Sequence, residues 1–175
     1  MKELSAAEEL DSCRYLYLEQ ISEPRINCLR LVISEGLASD HAEPLAVGGM
    51  KISDARPIEV TNSSKWFEVV WDTYISFAVR DESFASSNDE EWVGKVFRVY
   101  SRSRFLDFIS AGTFADADFP GPFVHYEIAC LDHIVDVASL RPPKIRRVNA
   151  KHLLSDPPRK WLDKLLRTTR LQSSG

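Results

Sequence analysis

The stretch FVHYEIACLDH, Phe123 to His133, places two of the four histidines, a glutamate, a cysteine and an aspartate within eleven residues. In a strand, successive side chains alternate between faces. His125 and Glu127 then share one face, and Val124, Tyr126, Ile128 and Cys130 share the other. A carboxylate beside an imidazole tunes its pKa, so the His125/Glu127 pair is a candidate for acid–base work in a small hydrolase or transferase, with His133 as a third group. The same groups could ligate a metal, which needs three or four of them at bonding distance. Residues eight apart on a straight strand lie about 26 Å from each other. His125 and His133 therefore cannot meet on one ion unless the chain turns back sharply, and no metal is expected. The simplest reading of the face is exposed polar surface on a half-buried strand.

A second constellation gathers Arg80, Arg98, Arg102 and Arg104 in VRDESF and FRVYSRSRF. If these segments pair as a hairpin across residues 81–94, Arg80 and Arg98 lie near one sheet end, beside the start of a helix, and could hold an anion. The competing reading is an ion-pair network with Asp81, Glu82 and Asp107. Other chemistry lacks its signature. No G-x-S-x-G elbow, phosphate-binding glycine loop or dinucleotide turn is present, so no cofactor is called for. Cys13, Cys28 and Cys130 are isolated, odd in number and without a CxxC pair, and read as buried thiols.

Charge is unevenly spread. Residues 1–138 hold 12 Lys/Arg against 24 Asp/Glu, a balance of −12, and residues 139–175 hold 10 against 2, a balance of +8. Three consequences are open: the basic segment docks on its own acidic body, it binds nucleic acid or another polyanion, or the acidic body steers toward a basic partner. No nucleic-acid-reading motif accompanies the basic residues, which makes nucleic acid the weaker expectation. Trp66 and Tyr74, taken as outward-facing beside Glu68 and Asp72, would suit a protein-binding face, where large aromatics act as anchors. These features point to a non-catalytic interaction protein with an acidic surface for a basic protein partner. An inhibitor or immunity-type protein would have this charge layout.

The elements that must position these residues are mostly strands. RYLYLEQIS and NCLRLVIS alternate apolar and polar residues and read as two strands joined by a turn at EPRI. Residues 35–55 read as loop. WFEVVWDTYISFAV reads as one long strand with Phe67, Val69, Trp71, Ile75, Phe77 and Val79 inward. The alternation from Phe67 to Val79 would span about 43 Å over thirteen residues, longer than usual, and a bulge or bend is expected near Asp72–Thr73. SRSRFLDFISAGT reads as a helix capped by Ser101 or Ser103 and ended by Gly112 in the left-handed conformation. FVHYEIACL is a strand, RPPKIRRV cannot be a central one at its prolines, and SDPPRKWLDKLLRTTRLQ reads as a basic C-terminal helix. The expected fold is a single α+β domain: a largely antiparallel twisted sheet with two or three helices, the acidic body over 1–138 and the basic segment 139–175 packed on it. The N-terminus carries no apolar signal region and no run approaches membrane-spanning length, so the cytoplasm is the expected compartment.

Overall fold

The computed structural model describes residues 3–47, 50–86 and 89–149. The basic helix expected over residues 156–172 lies outside them. The fold is mostly antiparallel β, with two α-helices among the described residues. One five-stranded sheet runs in the order β1 (Tyr15–Arg25), β2 (Cys28–Ala38), β6 (Trp66–Trp71) and β12 (Lys144–Val148), with β5 (Ile58–Glu59) against the end of β2. A second has the order β7 (Ser76–Asp81), β11 (His133–Ser139), β10 (Val124–Ala129), β9 (Phe97–Arg102) and β8 (Glu91–Val93). A separate hairpin joins β3 (Glu43–Val47) to β4 (Met50–Ala55). The helices are α1 (Ala6–Ser12) and α2 (Arg104–Gly112).

The two large sheets pack face to face because each alternates. Leu29, Leu31 and Ile33 of β2 and Phe67, Val69 and Trp71 of β6 meet Tyr126 and Ile128 of β10 and Val135 and Val137 of β11 in one buried cluster. The Trp71 and Tyr126 rings lie 6.2 Å apart across the seam. Helix α1 starts with a reciprocal cap between Ser5 and Glu8, and buries Leu10 in the same cluster. Its Asp11 carboxylate accepts the backbone N–H groups of Lys95, Val96 and Phe97, which fixes the entry to β9. Gly94, just before it, has φ +95°, and a Cβ there would stand 2.1 Å from the Phe97 carbonyl oxygen, so this turn requires glycine.

The expected single sheet is therefore two sheets, and the expected long strand is two strands. The chain leaves the first sheet after Trp71, turns through residues 72–75, and enters the second at Ser76. The break falls where a bend was expected, but its effect is to change sheets. Phe67, Val69 and Trp71 are sealed as expected. Ile75 and Phe77 are only half-buried, and Val79 is 42 % exposed, because β7 is the edge of its sheet. Residues 35–55 are not loop: β2 continues to Ala38, and the β3–β4 hairpin follows. EPRI is not the first turn either. Strand β1 runs to Arg25, its Pro24 tolerated on a sheet edge, and the turn is Ile26–Asn27 with Asn27 left-handed at φ 57°. Gly112 closes α2 within the helix; the cap is Thr113 in an extended conformation, whose N–H and hydroxyl both donate to the Ile109 carbonyl.

Strand β12 follows Pro142 and Pro143 as an edge strand, consistent with their inability to donate. It brings basic residues onto acidic ones: Arg146 pairs with Glu68, Lys144 with Asp72 and Arg147 with Glu9. Among the described residues no helix is long and apolar enough to cross a membrane.

Candidate functional site

The outer face of the second sheet carries the polar residues of β10. Tyr126 and Ile128 point into the seam, so His125 and Glu127 point away from it. Asp136 of β11 stands directly across from Glu127, and Arg98 of β9 stands across from Glu127 on its other side. Helix α2 and its leading residues lie over this face. The result is not the exposed polar surface expected from the sequence. His125, Glu127 and Asp136 are each 1 % exposed and Ser103 is 2 % exposed. The covering groups are aromatic: the Tyr100 ring stacks on His125 at 4.3 Å and Phe105 approaches it at 5.0 Å.

Every polar group inside has a partner, as burial demands. His125 Nδ1 lies 2.8 Å from Ser103 Oγ and Nε2 lies 2.9 Å from Asp136 Oδ1. Ser103 Oγ already accepts the Leu106 N–H at 3.1 Å as the cap of α2. The ionised Asp136 carboxylate can only accept, so Nε2 carries the proton that it donates there, and in the neutral ring Nδ1 accepts the Ser103 hydroxyl proton. Arg80 donates to both oxygens of Asp136, at 2.7 and 3.0 Å, in the two-pronged geometry a guanidinium favours. It also reaches Glu127 at 3.2 Å. Glu127 accepts further from Arg98 at 2.7 Å and from the Tyr100 hydroxyl at 2.8 Å.

Burial pushes the Asp136 carboxyl upward, but the His125 and Arg80 hydrogen bonds outweigh it and hold the group below the usual carboxylate range. Glu68, buried in the first sheet, is also held low: its desolvation is outweighed by Arg146 and Arg30. Burial and the bond to Glu127 push the Tyr100 phenol up. A carboxyl lowered in the folded state takes up fewer protons than the unfolded chain does. Stability from such groups is therefore present above the unfolded carboxylate pKa of about 4 and is lost as pH falls through the lower folded value. The melting temperature should decline steadily on acidification below about pH 5, and Asp136→Asn should flatten that decline. A wild-type melting temperature unchanged down to pH 3 would contradict the assignment.

Ser103, His125 and Asp136 stand in the order of a nucleophilic triad. Their closure and the capping role of the serine oxygen work against that use, because a substrate carbonyl must reach the nucleophile. His125, Glu127 and Asp136 also form a trio whose ligand atoms all lie within 4.8 Å of one another. A cation there would have to displace Arg80 from both carboxylates and Arg98 from Glu127. His133 takes no part; it lies at the strand start beside Asp132. The cysteines are buried, with Cys13 pushed up to about 12 by desolvation and then by Glu35, and Cys130 also pushed up by burial, so neither of these two is a ready thiolate.

The arginines converge differently from the hairpin expectation. Strands β7 and β9 are separated by β11 and β10, yet Arg80 and Arg98 meet at Glu127 from opposite sides. Both line a cleft of about 260 Å³, with Glu82 and Glu90 in the same wall. Their charge is committed to buried carboxylates, and the added acids oppose an anion. Arg102 pairs with Glu91, and Arg104 is exposed, its backbone N–H bonded to Glu90. The expected binding face is likewise divided. Glu68 is buried between Arg30 and Arg146, because β6 is an inner strand with a cation on each neighbour. Asp72 pairs with Arg25 and Lys144. Tyr74 is half-buried against the core, edge-on to Phe77 and hydrogen-bonded to Glu23. Trp66 is half-buried and lines a polar groove with Val60, Asn62 and Val148.

Asp136 and Ser103 were not legible as members of the group. The available signal was a lone aspartate inside the apolar run HIVDVASL, since a charge on a buried strand must have a partner. Comparison of the chain with protein-family models, curated proteins and solved structures finds no match.

Proposed function

We propose that the chain acts by binding a basic protein through an acidic surface, as a non-catalytic inhibitor or immunity-type protein would, and not by turning over a substrate. The observation that carries this reading is the closure of the polar group: every residue with catalytic chemistry in it is 1–2 % exposed and already hydrogen-bonded within the chain. The charge of −12 over residues 1–138 supports the sign of the partner. A field of that sign speeds encounter with a basic protein, and the benefit is screened by salt. The association rate with a partner isolated from native lysate on the immobilised chain should fall on the order of tenfold between low and physiological ionic strength, with a much smaller change in dissociation. A salt-insensitive association rate, or a partner that is itself acidic, would count against the proposal. The second reading, a hydrolase, draws on one specific feature: the Ser103–His125–Asp136 row. Polyanion binding through the basic segment has less support, since Lys144, Arg146 and Arg147 are matched to acids of the body.

A further inference from the structure

The proposed binding activity leaves open which surface is used, and two large apolar side chains stand exposed against each other beside an apolar groove. Phe114 and Phe119 in the loop before β10 are 82 % and 62 % exposed. They stack on each other with centroids 5.9 Å apart. Beside them lies a groove of about 570 Å³ walled by Leu106, Phe114, Ala115, Pro122 and Phe123. Contiguous apolar surface of this kind on a folded domain marks an interaction site.

The loop that presents these rings is closed by its own hydrogen bonds. Thr113 Oγ1 accepts the Ala115 N–H at 3.1 Å, the Asp116 N–H donates to the Phe119 carbonyl at 2.7 Å, and Asp116 Oδ1 accepts the N–H groups of both Asp118 and Phe119 at 2.8 Å. The aromatic pair is thereby set in position ahead of binding, which lowers the ordering cost of an interface. Asp116, which lines the groove, and Asp118, one residue before Phe119, are both exposed, and among the described residues neither pairs with a cation.

Resting on the binding reading above, we propose that this aromatic and aspartate surface is where a basic protein docks, inserting an apolar side chain into the groove with Lys or Arg placed against Asp116 and Asp118. Charge selects the occupant. A second copy of the chain would bring the same aspartates against themselves.

The test uses the full chain with p-benzoyl-phenylalanine in place of Phe114, and in parallel in place of Trp66, irradiated in lysate of the native cells, with the crosslinked peptide sequenced by mass spectrometry. The expected adduct at position 114 is a peptide of a different protein carrying net positive charge. The purified partner should then bind Phe114→Ser/Phe119→Ser at least tenfold more weakly than wild type, with an unchanged melting temperature. A crosslink to residues 150–175, to a second copy, or to a neutral or acidic peptide overturns the proposal, as does unchanged affinity of the double variant. A basic partner crosslinked only from position 66 overturns this surface and leaves the binding reading standing. No adduct at either position removes both.

Discussion

Phe67→Ala should cost about 3–5 kcal/mol in urea unfolding, and Phe77→Ala about 1–2 kcal/mol, although the two residues occupy equivalent places in an alternating pattern. Phe67 lies in β6, flanked by β2 and β12, and is fully sealed in the cluster between the sheets. Removing its ring deletes contacts on all sides and leaves a cavity that two packed sheets cannot close. Phe77 points to the same seam from β7, an edge strand, and is half-buried. Its ring is shared between the core and solvent, so part of its contribution is absent from the start. Equal losses at the two positions would contradict the break into two sheets at residues 72–75, since one continuous strand would bury both rings alike.

Asp136→Ala should be the most damaging polar substitution, at about 3 kcal/mol. Three losses coincide. The His125 Nε2–H is left buried without its acceptor, Arg80 loses its two-pronged partner and retains only Glu127, and the volume of the carboxylate is vacated beneath α2. The effect should propagate to the helix, because His125 also holds Ser103, whose oxygen caps it. Asp136→Asn keeps the shape and an acceptor for the imidazole but gives up the charge facing Arg80, so it should cost about half as much. Arg80 has a partly exposed side chain, with 40 % of its surface in solvent, which is why the figure stays below that for a fully enclosed ion pair. A loss under about 1 kcal/mol for the alanine variant would show that the group is dispensable to the fold.

What was legible in the sequence was local. The alternation in β2, β6 and β10 assigned Leu31, Phe67 and Ile128 to the core, and Ser103 was among the caps expected for α2. The partition into two sheets was not legible, because alternation continues in phase from Trp71 to Phe77 while the chain crosses from one sheet to the other. Periodicity records which face a side chain takes and carries nothing about which strand lies beside it. The same gap explains the site. His125 and Glu127 were correctly placed on one face, but an amphipathic strand looks the same whether its polar face meets water or meets Asp136, Arg80 and Arg98 under a helix. The aromatic pair at Phe114 and Phe119 was missed for a different reason. FADADFPGPF reads as a loop and has no period to show which side chains it holds in solvent, and only its internal hydrogen bonds show the pair set in place.

The central proposal is that the Ser103–His125–Asp136 row is a closed structural network, and that the chain acts by binding. The most direct measurement is labelling of the native full-length chain with a fluorophosphonate, which phosphonylates an activated, accessible serine, followed by mass spectrometric mapping. The account predicts no adduct at Ser103 over a time in which a serine hydrolase control is labelled to completion. A stoichiometric adduct at Ser103 in the folded protein would contradict it, and would make the row a working triad.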